Sequence, residues 1–119
     1  MGRKDVLGIW GERIASEFLV AEGYRVVDQR WRCRLGEIDI VATKGQTTCF
    51  VEVKTRRSVA FGHPLEAINA KKLSRLRQLA GLWCETKQPA SRKIRIDAVG
   101  IIGDGVTVYS LDHRQGVFD

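Results

Sequence analysis

The sequence predicts an α/β fold in which a mixed sheet of about five strands is flanked by helices. Two segments, residues 5–22 and 70–85, repeat apolar residues at helical spacing. Other short stretches alternate charged and apolar residues or are rich in β-branched residues, as strands are. The second helix lies in a connection long enough for a crossover, so the strands on either side of it are expected to be parallel.

Length and composition favour one globular domain spanning residues 1–119. At 44% hydrophobic residues, the chain can bury a core and is not typical of disordered proteins. No apolar run approaches the roughly 18 residues of a membrane span, and no unbroken apolar segment near the N-terminus indicates a secretory signal. The three cysteines form neither a zinc pattern nor an obvious disulfide framework. We therefore expect a cytoplasmic protein without a membrane partner.

The first predicted helix runs from about Asp5 to Glu22 and ends before a glycine. It has an apolar stripe, which consists of Leu7, Trp10, Ile14, Phe18 and Ala21. A second stripe has mostly small residues around one acid and consists of Gly8, Glu12, Ala15 and Leu19. Because both stripes suit burial, Glu12 is expected near an interior surface. The alternative is a solvated acid or an ion pair with Arg13 or Lys4.

A strand over residues 24–32 is followed by a predicted hairpin whose tip is Gly45-Gln46. Its strands carry Glu37 and Asp39, then Glu52 and Lys54, each pair on one face. If residue 44 pairs with residue 47, Asp39 lies opposite Glu52 and Glu37 lies opposite Lys54. A shift of one residue would place the charged sets on opposite faces, so the pattern favours this register.

Three carboxylates and one lysine would then share a small area of sheet. Carboxylates facing each other across a ladder repel, and a divalent cation between Asp39 and Glu52 would remove that repulsion. Ligation by oxygen alone suits Mg²⁺, with Mn²⁺ as a substitute. Lys54 lies roughly 6.5–7 Å beyond Glu52 on the same face, where it could stabilise charge on a phosphate. A surface ladder of salt bridges is the alternative, but apolar neighbours on both faces favour a mostly buried hairpin.

Charge indicates an anionic partner, with nucleic acid the first choice, because the formal net charge is +6. Between residues 71 and 95 there are eight basic residues and one acid. Basic side chains also follow the hairpin directly. The candidate phosphate contacts are Arg56, Arg57, Lys71, Lys72 and Arg75.

The remaining elements follow from local signals. Residues 55–63 lack periodicity and predict a flexible loop, in which His63 is expected to be solvated. Phe61 is expected to pack onto the core, with an exposed wedge as the alternative. Asn69 is a candidate N-cap for a helix from Ala70 to about Glu85. A linker over 87–91 precedes a strand over 94–102, a turn over 103–105, a strand over 106–111 and a short tail over 113–119.

Asp97 and Arg95 lie two residues apart on the predicted strand over 94–102, on one face. An ion pair or structural hydrogen bond is the expected role of Asp97. A role near the acidic site is the alternative.

The hairpin carries a resemblance to a known family. Gly36–Val41 followed by Phe50–Arg56 resembles the core of PD-(D/E)xK nucleases. More closely, the chain resembles the YraN-type family of uncharacterised bacterial proteins, which is related by fold to archaeal Holliday-junction resolvases. The likeness runs from Gly11-Glu12 to the strand containing Arg95–Asp97, and it implies a restriction-endonuclease-like fold.

The resemblance also implies roles for individual residues. Asp39 and Glu52 would be metal ligands, Lys54 the catalytic lysine, and Glu12 the helix acid of a resolvase-like site. Glu37 fits the close family's pattern, and its role stays open. The proline that gives the nuclease motif its name is absent from this chain.

These observations lead to the expectation of a Mg²⁺-dependent nuclease that acts on branched or structured DNA. A homodimer is expected, because two-fold symmetry would present two sites to a symmetric junction. The alternatives are a nucleic-acid-binding module without turnover and a scaffold that meets an acidic protein.

Overall fold

The computed structural model describes residues 5–90 and 93–117 and contains two helices and a five-stranded sheet. The helices are α1 (Val6–Ala21) and α2 (Ala70–Lys87), and the strands are β1 (Arg25–Cys33), β2 (Gly36–Lys44), β3 (Thr47–Arg56), β4 (Lys93–Gly103) and β5 (Val108–Arg114). A short 3₁₀ helix covers Pro64–Ala67. Within the described residues, neither helix is long and apolar enough to cross a membrane.

The sheet has the order β1-β2-β3-β4-β5. The pairing of β3 with β4 is parallel, and the other neighbours are antiparallel. The parallel pair is the one that the long connection through α2 predicts, because a crossover returns the chain in the same direction. The predicted α/β class with a mixed five-stranded sheet is therefore confirmed.

One helix covers each face of the sheet. Ala15 and Leu19 of α1 pack with a cluster that includes Val51 and Val99. Leu79 and Trp83 of α2 pack on the other face, in a cluster that includes Phe50. Phe50 and Val51 are adjacent in β3 and point in opposite directions, as the period of a strand requires. The core thus consists of two apolar layers separated by the sheet.

Helix α1 presents its small residues to the sheet. Its fully buried positions are Gly11, Ala15 and Leu19, whereas the stripe containing Trp10 is only partly buried. A Cβ atom on Gly11 would collide with the side chain of Thr55 in β3. The absence of a side chain at Gly11 therefore lets α1 approach β3 closely.

Helix α2 begins as predicted, with the Asn69 side chain accepting a hydrogen bond of 2.9 Å from the Lys72 amide. It continues past the predicted end at Glu85 to Lys87. Gln88 then takes a left-handed conformation (φ 49°), and its amide bonds the carbonyl of Cys84 at 2.8 Å. Such a C-cap satisfies a terminal carbonyl and ends the helix.

Several predicted boundaries differ from those in the structure. Residues 55 and 56 belong to β3, so the irregular segment begins after Arg56 rather than at Thr55. Strand β5 starts at Val108, two residues late, and includes part of the predicted tail. The predicted linker ends at residue 91 and the tail at residue 119, so residues 91, 118 and 119 of these predictions lie outside the described residues, as does the N-terminal segment 1–4.

Candidate metal centre

The hairpin register agrees with the prediction up to the point where the acids begin. Lys44 pairs with Thr47, and the ladder continues to Ile40 opposite Val51. The pairs predicted beyond it, Asp39 with Glu52 and Glu37 with Lys54, do not form. Instead, the amide of Val53 donates a hydrogen bond of 2.8 Å to the Asp39 carboxylate. Asp39 thus takes over a backbone donor of β3 at the place where the strands separate.

Strand β2 changes its facing at the same place. Ile38 packs in the cluster that contains Leu79 of α2, and Ile40 packs in the cluster that contains Leu19 of α1. In a regular strand, residues two positions apart would lie on the same face. On the neighbouring strand β1, Gln29 pairs with Ile40 and Trp31 pairs with Ile38. Arg30 lies between these two pairs, and its φ is +48°. A positive φ is uncommon for a side chain of this size and marks a local irregularity.

This irregularity brings three acids together. One carboxylate oxygen each from Glu12, Glu37 and Asp39 can be chosen so that all three lie within 4.8 Å of one another. Glu12 comes from α1 and the other two from β2. The resemblance implies that Glu12 and Asp39 belong to one site, and it leaves the role of Glu37 open because the wider nuclease motif does not require an acid there.

Glu52 lines the same cleft, beside two lysines. Its carboxylate is 3.7 Å from Nζ of Lys54. The cleft has a volume of about 600 Å³ and is lined by all four acids together with Lys54 and Lys72. The predicted site residues Glu12, Asp39, Glu52 and Lys54 therefore share one cavity.

Burial raises the pKa values of the central carboxyls. Burial, with the nearby charge of Glu52, raises the pKa of Asp39 to about 8, although the hydrogen bond from Val53 opposes the shift. Burial also raises the pKa of Glu52, against the opposing effect of Lys54 and Lys72. The Lys54 ammonium in turn lowers the pKa of Lys72. The cleft thus brings carboxyl groups close to one another and ammonium groups close to one another.

Arginines from β1 partly compensate the acids. Nε of Arg30 lies 2.8 Å from Glu12, and Arg32 lies 3.1 Å from Glu37. Of the partners considered for Glu12, Arg13 pairs with Glu17 instead, and Lys4 lies outside the described residues. The sequence did not identify Arg30 as a partner of Glu12. Its position depends on the irregular backbone of β1 at this residue, which no sequence pattern indicates.

Of the five candidate phosphate contacts, four line the acidic cleft or a neighbouring cavity and one, Arg57, lines neither. Arg56 lines the acidic cleft, and a second cavity of about 400 Å³ shares Glu37, Glu52 and Lys72 with it. That cavity is also lined by Lys71 and Arg75. Arg57 is not among the lining residues and donates a hydrogen bond of 3.3 Å to the carbonyl of Asp104.

Asp97 is not part of the cleft-lining set. It is fully buried and accepts hydrogen bonds from Arg95 (2.8 Å), the Gly116 amide (3.0 Å) and His113 (2.8 Å). Burial alone would raise its pKa, but these hydrogen bonds outweigh it and lower the pKa. The predicted ion pair with Arg95 is confirmed, and Asp97 anchors the end of β5 to β4.

The donor set fits a hard divalent cation. The grouped acids offer only carboxylate oxygens, the ligands that Mg²⁺ and Mn²⁺ accept. A cation would also offset the repulsion that raises the pKa of Asp39. Among the described residues, Glu12, Glu37 and Asp39 form a group close enough to hold it, and Glu52 lines the same cleft.

Comparison with known proteins gives the family. The family model described as "Uncharacterised protein family UPF0102" matches residues 11–101. A UPF0102 protein of Paenarthrobacter aurescens is 49% identical over 117 residues, covering 98% of this chain and 97% of the relative. Corresponding proteins of Beutenbergia cavernae (47%, covering 98% and 99%) and Clavibacter michiganensis (51% over 102 residues, covering 86% of each) are also similar. The chain therefore belongs to the UPF0102 family.

Proposed function

We propose that this protein is a metal-dependent nuclease with a restriction-endonuclease-like core, acting on branched or structured DNA. The observation that carries the proposal is a single cleft lined by the three grouped acids and Glu52 together with Lys54 and Lys72. Structural ion pairs alone do not explain the arrangement, because burial and carboxylate crowding leave Asp39 with a pKa of about 8. Perturbed carboxyls in a cleft are typical of functional sites.

Glu12, Asp39 and Glu52 would hold Mg²⁺ or Mn²⁺, with Glu37 as an additional ligand. Such an ion supplies Lewis acidity toward a phosphate oxygen and a more acidic bound water. The chain's own part is orientation: the Val53 amide fixes the Asp39 carboxylate, and close packing at Gly11 sets the position of α1.

The lysines would act on the phosphate. Lys54 lies beside Glu52 and can stabilise negative charge that develops at phosphorus. Lys72 lines the same cleft from α2, and repulsion between the two ammonium groups would be relieved by an anion between them. Both lysines therefore favour a phosphate bound in the cleft, whose negative charge the carboxylates would otherwise repel.

The neighbouring cavity gives a path for the DNA backbone. Lys71 and Arg75 line it, and it shares Glu37, Glu52 and Lys72 with the acidic cleft. We propose that these residues and Arg56 contact phosphates on either side of the scissile bond. Arg57 would do so only after leaving the Asp104 carbonyl.

A second function is supported by the arginine pairing. Arg30 already supplies a cation to Glu12, as expected in a cleft that binds nucleic acid without turnover. In that case the fold and the basic surface would serve as a nucleic-acid-binding module. We further propose a homodimer, which would present two clefts to a symmetric junction, and a cytoplasmic location, which suits the three free cysteines.

Cleavage of end-labelled DNA separates the two functions. The protein is incubated with four-way junction, flap and linear duplex DNA in Mg²⁺, Mn²⁺ or EDTA. The nuclease proposal predicts cleavage of the branched substrates that EDTA, Glu52→Gln and Lys54→Met each abolish. Salt-sensitive binding without cleavage in any metal would support the binding module. Absence of DNA binding at low salt would exclude both.

A further inference from the structure

The most exposed aromatic side chain of the described residues lies on the loop that follows β3. Phe61 is 90% exposed, and its neighbour Val59 is 59% exposed. The expectation that Phe61 packs onto the core is wrong. A ring this exposed contributes little to the core, and its faces are open to a partner outside this chain.

The loop has hydrogen bonds that fix its shape. The Gly62 amide bonds the Val59 carbonyl at 2.9 Å, and the Ala60 amide bonds the Ser58 hydroxyl at 3.2 Å. Gly62 has φ +101°, and a Cβ there would also meet the Glu66 carboxylate. The turn thus requires glycine directly after Phe61 and sets the direction in which Phe61 leaves the loop.

The C-terminal end of the loop is fixed by His63. Its Nδ1 accepts a hydrogen bond of 3.1 Å from the Leu65 amide, and its Nε2 lies 2.9 Å from Asp112 of β5. The expectation that His63 is merely solvated is therefore also wrong. Because the histidine bonds both the 3₁₀ helix and β5, the loop is held to the sheet at its second end.

Both ends of this loop border the acidic cleft. Arg56 precedes the loop, Ala67 follows it on the 3₁₀ helix, and both line the cleft. Phe61 consequently sits on a short segment whose two ends line the cavity where the proposed function places the scissile phosphate, with the Arg56 cation at its first end.

We propose that Phe61 is a stacking platform for an unpaired nucleobase of the DNA whose backbone passes through the cleft. A flat aromatic ring next to cations is the combination that binds single-stranded nucleotides, with the ring stacking on the base and the cations meeting the phosphates. Bases inside a duplex are already stacked and cannot use this contact. The ring therefore favours DNA with unpaired nucleotides, and this inference rests on the proposed function.

Fluorescence anisotropy in EDTA tests the platform without cleavage. Affinities for a flapped duplex and a continuous duplex of equal length are measured for the wild type, Phe61→Ala, Phe61→Trp and the control Val20→Ala, which removes an exposed side chain from the end of α1. Phe61→Ala should weaken flap binding about fivefold to hundredfold, the effect of losing one stacked base. Duplex binding should change less than twofold. Phe61→Trp should keep flap binding, and Val20→Ala should match the wild type.

A 2-aminopurine in the flap gives a direct reading of stacking. Its fluorescence should be quenched by the wild type and by Phe61→Trp but not by Phe61→Ala. Equal losses on flap and duplex, or no loss on either, would overturn the stacking role while leaving the proposed function standing. If the wild type binds neither DNA at low salt, the proposed function fails and this role fails with it.

Discussion

The guanidinium of Arg30 lies 2.8 Å from the carboxylate of Glu12, although the two residues belong to β1 and α1. Arg30 reaches this position with φ +48°, and the hydrogen bond and charge of Glu12 raise its pKa. Glu37 and Asp39 also act on Arg30 electrostatically. Arg30 is thus the protein's own counter-cation for the acids that are proposed to hold a metal.

Replacing Arg30 with Gln should make the protein depend more on a divalent cation. Without metal, the loss of a partly exposed ion pair should cost about 0.2–1 kcal/mol, because the acids then repel without compensation. With Mg²⁺, the rise in melting temperature should exceed that of the wild type, since the metal no longer competes with the guanidinium. Differential scanning fluorimetry in EDTA and in increasing Mg²⁺ measures both effects.

Arg13→Gln is the matched control, because Arg13 makes a solvent-exposed pair with Glu17 on the same helix as Glu12. Its response to Mg²⁺ should equal that of the wild type. An Arg30→Gln protein whose Mg²⁺ response is no larger than that of Arg13→Gln would show that Arg30 does not compete with a metal.

Asp39 should make the metal-free protein less stable as pH rises. Its pKa is raised from 3.8 to about 8, so between these values the folded protein binds a proton that the unfolded chain has released. Stability from this group is therefore present at low pH and lost as pH increases from about 4 to about 8. Asp39→Asn keeps an acceptor for the Val53 amide and removes the charge.

We therefore expect Asp39→Asn to melt a few degrees higher than the wild type at pH 8 in EDTA, with the difference shrinking toward pH 4. The same substitution should reduce stabilisation by Mg²⁺ at pH 8, because a proposed metal ligand is lost. A difference between the two proteins that does not vary with pH would contradict the shifted pKa.

Close packing of α1 on β3 should make Gly11 intolerant of a side chain. Gly11→Ala would push a methyl group into Thr55, and overpacking of this kind costs about 1–3 kcal/mol. A methyl group added at Gly81 in α2 would meet no heavy atom of the described residues within 4 Å, so Gly81→Ala should stabilise by up to about 1 kcal/mol. Urea unfolding measures both; a Gly11→Ala protein as stable as Gly81→Ala would contradict the packing.

Asp97 should behave as a structural anion rather than as part of the metal centre. Asp97→Asn leaves Arg95 without its buried partner and should destabilise by about 3–5 kcal/mol. Asp112→Asn, which removes a half-exposed partner of His63, should cost much less. Both variants should keep the wild-type increase in melting temperature with Mg²⁺, and loss of that increase in Asp97→Asn alone would link Asp97 to the metal.

Local sequence signals were sufficient for the hairpin and for both helices. The Gly45-Gln46 turn and the alternation of charged and apolar residues predicted the pairing of Lys44 with Thr47, which the structure confirms. Asn69 was correctly identified as a cap, because its side chain suits the free amides at a helix N-terminus. These features depend on residues close together in the chain.

The features that were missed depend on distant residues or on backbone irregularity. The change of facing between Ile38 and Ile40 has no pattern in the sequence that marks it. It ends the ladder at the pair of Ile40 with Val51, so the next pair, Asp39 with Glu52, does not form. That change groups Glu37 with Glu12 and Asp39, where a regular ladder would have placed it against Lys54. The acidic composition of the site was thus predictable, whereas its grouping was not.

The start of β5 was misplaced because one side chain lengthens the preceding turn. The Asp104 carboxylate accepts hydrogen bonds from the amides of Val106 (2.9 Å) and Thr107 (2.7 Å). These bonds keep both residues in the turn and delay the strand to Val108. The alternation of residues 106–111 gave no sign of this competition between side chain and strand.

The central claim is that the acids of this cleft bind a divalent cation. Anomalous diffraction at the manganese edge, from crystals grown with Mn²⁺, tests it most directly. We predict a peak in contact with Asp39 and at least two of Glu12, Glu37 and Glu52, with the Arg30 guanidinium displaced from Glu12. A cleft without a peak at saturating Mn²⁺, with Arg30 still bound to Glu12, would contradict the account.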